Sequence, residues 1–367
     1  MAQSLNRVNN ERNSSIELLK LIAVFLIICS SALPFGVTYA GGCDDVYVNL
    51  NNTQFSATHI IFTLFRWFGQ IGDTLFIVCS AWFLCDSRKF KLNKAAKMVA
   101  DSWIISVVGL IAALFLLSPT VSEIIKSLFP VTFQMNWFVG CYIIYYLIHP
   151  FLNKAVEDLN GKAFRRFVII LFVAYSIVGT VMQKYYFTNL VAFICIHYFV
   201  SYYKRYGRDK LSRNKDYLIV LASTAVIIGW IVCVNYLGER ISIVSTKNLF
   251  GCTFINPIIV LLGIAALDLT VRKEFHNRTI NSIAKYSLLI YLFHANYFWL
   301  TYGKYHLQEA LLGLGIGRLG VVFIVIAIYS VATVLLSAAY EASAGKVTAA
   351  LSAKIAAKDL SCTDNRK

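Results

Sequence analysis

The chain has 367 residues, of which 58% are hydrophobic and 14% charged, with a mean hydropathy of +0.64. A soluble globular domain carries about 25% charged residues, so this composition excludes that class. A net charge of +15 would suit a nucleic-acid partner, but the Lys and Arg residues punctuate apolar runs of membrane-spanning length. They are a topology signal, and no nucleic-acid partner is expected.

A spanning helix needs about 20 apolar residues. Ten such runs follow one another along the chain: 16–39, 60–85, 98–118, 131–148, 167–182, 189–203, 217–237, 250–269, 280–300 and 314–340. The first is longer than a signal-peptide core and lacks a small-residue cleavage site, so it is expected to be a retained helix and no targeting peptide is expected. Alternate connections and the two termini hold 27 of the 34 Lys and Arg residues. The other seven are Arg66, Lys126, Lys184, Arg240, Lys247, Lys304 and Arg318. Short cytoplasmic loops are enriched in this way. The predicted fold is all-α: a polytopic integral membrane protein of about ten transmembrane helices, both termini cytoplasmic, with a transmembrane domain over 1–345 and a short cytoplasmic tail over 346–367. The nine cysteines contain no Cys-x-x-Cys spacing and fall mostly within apolar runs. They read as small core hydrophobes, with no disulfide framework and no metal site.

Ionisable side chains inside a bilayer are expensive and face the bundle interior or a watery cavity. The first run carries Glu17, Lys20, Ser30 and Ser31. Lys20 and Ser31 are 11 residues apart, three helical turns, and share a face about 16 Å apart. Two readings fit: functional groups on an inward face, or a snorkelling Lys20 paired to Glu17 with serines bonded to their own backbone. The second run places Arg66, Gln70, Asp73 and Ser80 along one side of a helix. Asp73 is a candidate acid or base there, or one end of an ion pair with Arg66. The ninth run presents Ser287, Tyr291 and His294 on one face, with His294 as catalyst or as hydrogen-bonded core residue. His59, His149 and His197 read as interfacial. The segment from Arg88 to Lys97 offers charged donors to a phosphate, or plain topogenic charge. His-Glu-x-x-His and Gly-x-Ser-x-Gly motifs are missing from the sequence, and no phosphate-cradling Gly-rich loop is expected. Asn51, Asn52 and Thr53 match a glycosylation sequon, a weak signal by itself.

The stretch from Arg12 through Glu17 and Lys20 to Ala23 resembles the start of the acyltransferase-3 family of integral membrane acyltransferases. Gly72, Leu75, Phe76 and the run from Ser80 to Leu84 are similar to its Gly…Leu-Phe…Ser-Gly-Tyr-Phe-Leu stretch. Trp137 and Phe138, with the run from Tyr145 to Asn153, resemble its Trp-Phe…Pro-Phe-Leu-Asn element. The run from Tyr286 to His294 resembles its late Tyr-Leu-x-His helix. This resemblance covers nearly the whole chain. It implies a multi-pass enzyme of the cell (plasma) membrane, with no bound cofactor, that uses acyl-CoA, usually acetyl-CoA, as co-substrate. The acceptor would be a hydroxyl of a cell-surface polysaccharide or its lipid-linked precursor. The family pattern has an Arg and a general-base His where this chain has Lys20 and Ser31. Lys keeps the charge without the bidentate fork, and Ser is no base near neutral pH. Lys94 and Lys97 are nearest to the family's Arg-x-x-Arg pair.

The resemblance thus implies His294 or Asp73 as a displaced base, Ser31 as an acyl carrier, or an inactive relative or transporter-like protein. Lys20, Ser31, Asp73 and His294 are the catalytic candidates. Arg88, Lys94 and Lys97 are the donor-binding candidates, and Arg66, Trp137 and Tyr291 those for the acceptor.

Overall fold

A computed structural model describes residues 13–33, 49–133, 135–182, 189–210, 212–296 and 298–364. Among them the regular structure is entirely helical. Six helices are long and apolar enough to cross a membrane. They are α1 (Ser14–Ser31), α2 (Ala57–Leu84), α3 (Leu92–Leu116), α6 (Gly161–Met182), α8 (Arg213–Gly238) and α13 (Arg318–Ala342). Between them lie α4 (Val121–Leu128), α5 (Trp137–Ala155), α7 (Asn189–Tyr202), α9 (Pro257–Val271), α10 (Arg278–Ala284), α11 (Ser287–His294) and α12 (Lys304–Gly313), with α14 (Ala344–Asp364) last.

The helices differ from the apolar runs where polar atoms intervene. The first run was expected to reach residue 39, but α1 ends at Ser31. There Lys304 Nζ donates to the Ser31 and Leu33 carbonyls at 3.1 Å each, and Gln308 Nε2 donates to Ala32 O at 2.7 Å. These side chains satisfy carbonyls that a helix end leaves unpaired; residues 34–39 lie outside the described ones. The fourth run was expected at 131–148, whereas α5 starts at Trp137 and continues through Pro150 to Ala155. The eighth begins in turns and becomes helical only at Pro257, where Asn256 caps the helix by accepting from the Ile258 N–H. Its irregular carbonyls are met by hydroxyls: Thr74 Oγ1 donates to Phe254 O and Ser176 Oγ to Ile255 O, each at 2.5 Å. The ninth run is no single helix. It breaks at Tyr286 and again after His294, where Asn296 donates to Ile105 O and accepts the Phe298 N–H. Irregular backbone survives at membrane depth when protein groups satisfy it in this way.

The centre of the bundle is the contact of α1 with α2. A Cβ on Gly72 would lie 2.5 Å from the Ala23 carbonyl oxygen and 2.7 Å from Ile27 Cγ1, and one on Gly69 would lie 2.6 Å from Ser30 Oγ. The two glycines, three residues apart, let the backbones meet; between apolar helices such close packing replaces the hydrophobic drive that lipid removes. Asn153, from the Pro-Phe-Leu-Asn element, donates to the Leu84 and Ser87 carbonyls at 2.8 Å each and so closes the far end of α2.

Gly72→Ala is expected to cost about 1–3 kcal/mol through overpacking. Gly229→Ala, whose Cβ meets nothing within 4 Å, should be neutral or stabilising by about 0.5–1 kcal/mol. Thermal unfolding of the two variants in detergent reads the difference; equal melting temperatures would remove the close α1–α2 contact from this account.

Candidate functional site

A cavity of about 940 Å³ opens at one end of the bundle, near the top of the range of about 300–1,000 Å³ for small-molecule sites. Its walls come from α1 (Glu17, Lys20), α2 (Phe76, Ser80), α3 (Lys94, Lys97), α5 (Tyr142), the α10–α11 break (Lys285, Ser287) and the end of α13 (Glu341). Lys20 Nζ pairs with Glu17 Oε1 at 3.2 Å and stands 5.2 Å from the Phe83 ring centre. Lys94 lies 4.8 Å over the Tyr146 ring, whose hydroxyl accepts the Lys91 N–H at 3.0 Å. Lys97 reaches Asp101 Oδ2 at 2.9 Å and Glu341 Oε2 at 3.3 Å. Lys285 lies 4.5 Å over Tyr286. Four ammonium groups thus converge on one space. Lys285 was counted from sequence only as loop charge; it reaches the cavity because α10 and α11 are separate helices.

The structure brings Lys20, Lys94 and Lys97 together and leaves Arg88 outside. Arg88 pairs with Glu157 at 2.7 Å beside a second cavity of about 300 Å³ with Asn153 and Arg205. Deeper in the bundle, Asp73 is buried on α2, two turns from Ser80. It is within electrostatic reach of Arg66 and Tyr291. Arg66 extends to Ser30, Nη1 to Oγ 3.5 Å, so Ser30 bonds across to α2 and not to its own helix. Tyr291 packs on Phe138, ring centres 5.0 Å apart, and Trp137 stacks on Phe254 at 5.8 Å. Trp137 therefore adjoins this group through Phe138.

His294 is buried at the end of α11 and its Nδ1 lies 2.7 Å from the Tyr291 carbonyl. A carbonyl only accepts, so Nδ1 carries the proton and Nε2 holds the lone pair of the neutral ring. Ser31 ends α1 on the same side of the bundle. Lys304 joins the two, hydrogen-bonded to the Ser31 carbonyl and within electrostatic reach of His294. Its role was not legible in the sequence, where it reads as an isolated outer charge.

The other histidines, read from sequence as interfacial, are covered by protein. His59, His149 and His197 are all buried. His59 Nε2 accepts from Asn248 Nδ2 at 3.1 Å. His149 Nδ1 donates to Tyr146 O at 2.6 Å. His197 accepts from the Tyr145 hydroxyl at 2.8 Å and donates to Asn153 Oδ1 at 2.9 Å. Neighbouring helices cover them, which the pattern along a single run does not reveal.

A family model described as Acyl_transf_3, an acyltransferase domain, matches residues 13–341. The chain belongs to the acyltransferase-3 family. No curated protein and no solved structure matches it. Family and apolar helices together make this acyltransferase-3 protein a multi-pass membrane protein with acyltransferase activity as its general class. The matched region holds the cavity, the Asp73 group and His294, and stops before α14.

If the cavity admits water, Ser287→Cys in a Cys233→Ser background will react with a small charged methanethiosulfonate, while native Cys79, fully buried, stays unmodified. No labelling at residue 287 would show that the space is closed to solutes, and equal labelling of Cys79 would show that the reaction does not report the cavity.

Proposed function

We propose that the chain is a membrane O-acyltransferase that moves an acyl group, acetyl in the simplest case, from cytoplasmic acyl-CoA to a hydroxyl of a cell-surface polysaccharide or its lipid-linked precursor. The observation that carries this reading is the convergence of Lys20, Lys94, Lys97 and Lys285 on one large cavity. Lysine ammonium groups bind phosphates as point charges, and coenzyme A brings several phosphates on a long thioester-bearing arm. The reading places the protein in the plasma membrane as ten spans with both termini cytoplasmic, so the lysine-walled end faces the cytoplasm. The charge partition of the connections supports that orientation, and α5, α7, α9 and the broken α10–α11 segment supply the four spans beyond the six long apolar helices.

In this reading His294 Nε2 accepts the proton of the acceptor hydroxyl as its oxygen attacks the thioester carbonyl. The C–S bond then breaks, and the imidazolium returns the proton to the departing thiolate. Arg66 and Asp73 orient the acceptor, Tyr291 and Trp137 line its approach, and Lys20 holds the donor. A covalent route through Ser31 needs an activating base at its hydroxyl, and among the described residues none hydrogen-bonds to it, which favours direct transfer.

Four measurements test the reading. Lys94→Gln and Lys285→Gln should each weaken coenzyme A binding and reduce its salt dependence, while Arg88→Gln should leave both unchanged; wild-type binding in all three would return the lysines to topogenic charge. His294→Ala should lower acyl transfer by about a hundredfold or more, and full activity would eliminate that base. Mass spectrometry of surface glycan from a deletion strain and its complement should show loss and return of an O-acyl group, and an unaltered glycan would remove the acceptor assignment. For orientation, thiol labelling should find Cys362 cytoplasmic and Cys43 outside; labelling from one side would make the span count wrong by an odd number.

A second reading, an inactive relative that binds or moves glycan, is favoured by Ser31 standing where the family pattern has its histidine. Absence of transfer in the wild type, followed by transfer in Lys20→Arg with Ser31→His, selects it.

A further inference from the structure

After the end of α13 the chain turns at Ser343 into α14, beyond the family match. Gly345, Thr348 and Ser352 form one buried side of this helix, which packs along α3. Thr348 Oγ1 donates to Asp101 Oδ1 at 2.9 Å, and the Tyr340 hydroxyl donates to the same oxygen at 2.9 Å. Asp101 is buried. Its other oxygen, Oδ2, accepts from Lys97 Nζ at 2.9 Å, and Glu341 accepts from the same ammonium. An ammonium has three N–H donors; two go to carboxylates fixed in the wall, which leaves the third for the cavity that Lys97 lines. A lysine side chain without such anchors spreads over many rotamers, and ordering it during binding costs affinity.

We propose that α14 is a working part of the donor site: through Thr348 and Asp101 it holds Lys97 ready for a phosphate of the acyl donor. The proposal rests on the donor reading above. Thr348, Tyr340 and Asp101 are then positioning residues that act through Lys97. They keep the lysine where it meets the ligand, with its charge shared with the protein and its remaining donor turned inward. The 21-residue helix packs on α3 behind the wall of the cavity and reaches it only through Asp101 and Lys97.

The test is a double-mutant cycle on the purified full-length chain in nanodiscs, with coenzyme A as the probe. Thr348→Val removes one hydroxyl and should weaken coenzyme A about threefold to tenfold, while Thr348→Ser binds as wild type. Thr348→Val combined with Lys97→Gln should bind no more weakly than Lys97→Gln alone, because both changes break the same chain of contacts. A merely structural role would lower the melting temperature and leave coenzyme A affinity unchanged; that result, or additive losses in the double variant, overturns the proposal while Lys94→Gln still weakens binding. If Lys94→Gln and Lys97→Gln both bind as wild type, the donor reading falls and the positioning role with it. Should Thr348→Val yield no folded protein, Tyr340→Phe removes the other hydroxyl and makes the same comparison.

Discussion

The arrangement depends on two helices that meet where one of them has glycines in place of side chains. Where α1 crosses α2, Gly69 and Gly72 leave no room for a Cβ against Ser30, Ala23 and Ile27. Lipid offers apolar side chains the same surroundings as the protein interior, so shape and close contact must hold such a pair. The consequence reaches the chemistry. Lys20 and Ser80 lie toward one end of this crossing, and Ser30 and Arg66 toward the other. Residues that would be costly against lipid face a protein interior because the crossing turns their helix faces inward.

A second pattern is the division of labour among short polar side chains. Thr74, Ser176, Asn153 and Gln308 each give a hydrogen bond to a backbone carbonyl in a helix end or an interrupted segment, and Asn296 accepts the Phe298 N–H in another. Without water in the hydrocarbon layer, an unpaired carbonyl costs several kcal/mol, roughly what one well-placed amide or hydroxyl avoids. These side chains are therefore the condition for having broken helices at all. The break between α10 and α11 in turn carries Lys285 and Ser287 to the cavity, so the site exists because the ninth apolar run fails to be one helix.

The sequence made the helical class and the long apolar helices legible, because hydropathy over a window of helical length is a strong and local signal. It also marked the polar residues on α1, α2 and α11 whose burial is now visible. Interruptions were not legible: 250–256 and 286 read as apolar, and the hydroxyls that stabilise the carbonyls of the first come from other helices. The same holds for the three interfacial histidines, whose cover is supplied by neighbours far away in the chain. At the site, the spacing of Lys94 and Lys97 along α3 could be read directly, since residues three apart share a helix face. The exclusion of Arg88 and the inclusion of Lys285 depend on tertiary geometry alone. The tail was expected as a short cytoplasmic segment, and the signal for its docking, small residues at 345, 348 and 352, is too common to stand out without α3 beside it.

Two histidines in this chain, His149 and His294, follow a tyrosine by three residues and spend their Nδ1 proton on that tyrosine's own carbonyl. Each imidazole is thereby fastened to the turn of helix beneath it and shares that turn's rigidity. A ring held this way does not swing between partners the way a free side chain does; it offers its second nitrogen in one direction and waits. If His294 is the base proposed above, an acceptor must be delivered to it along a fixed line, and the timing of proton transfer passes from the histidine to whatever moves along the bundle toward it.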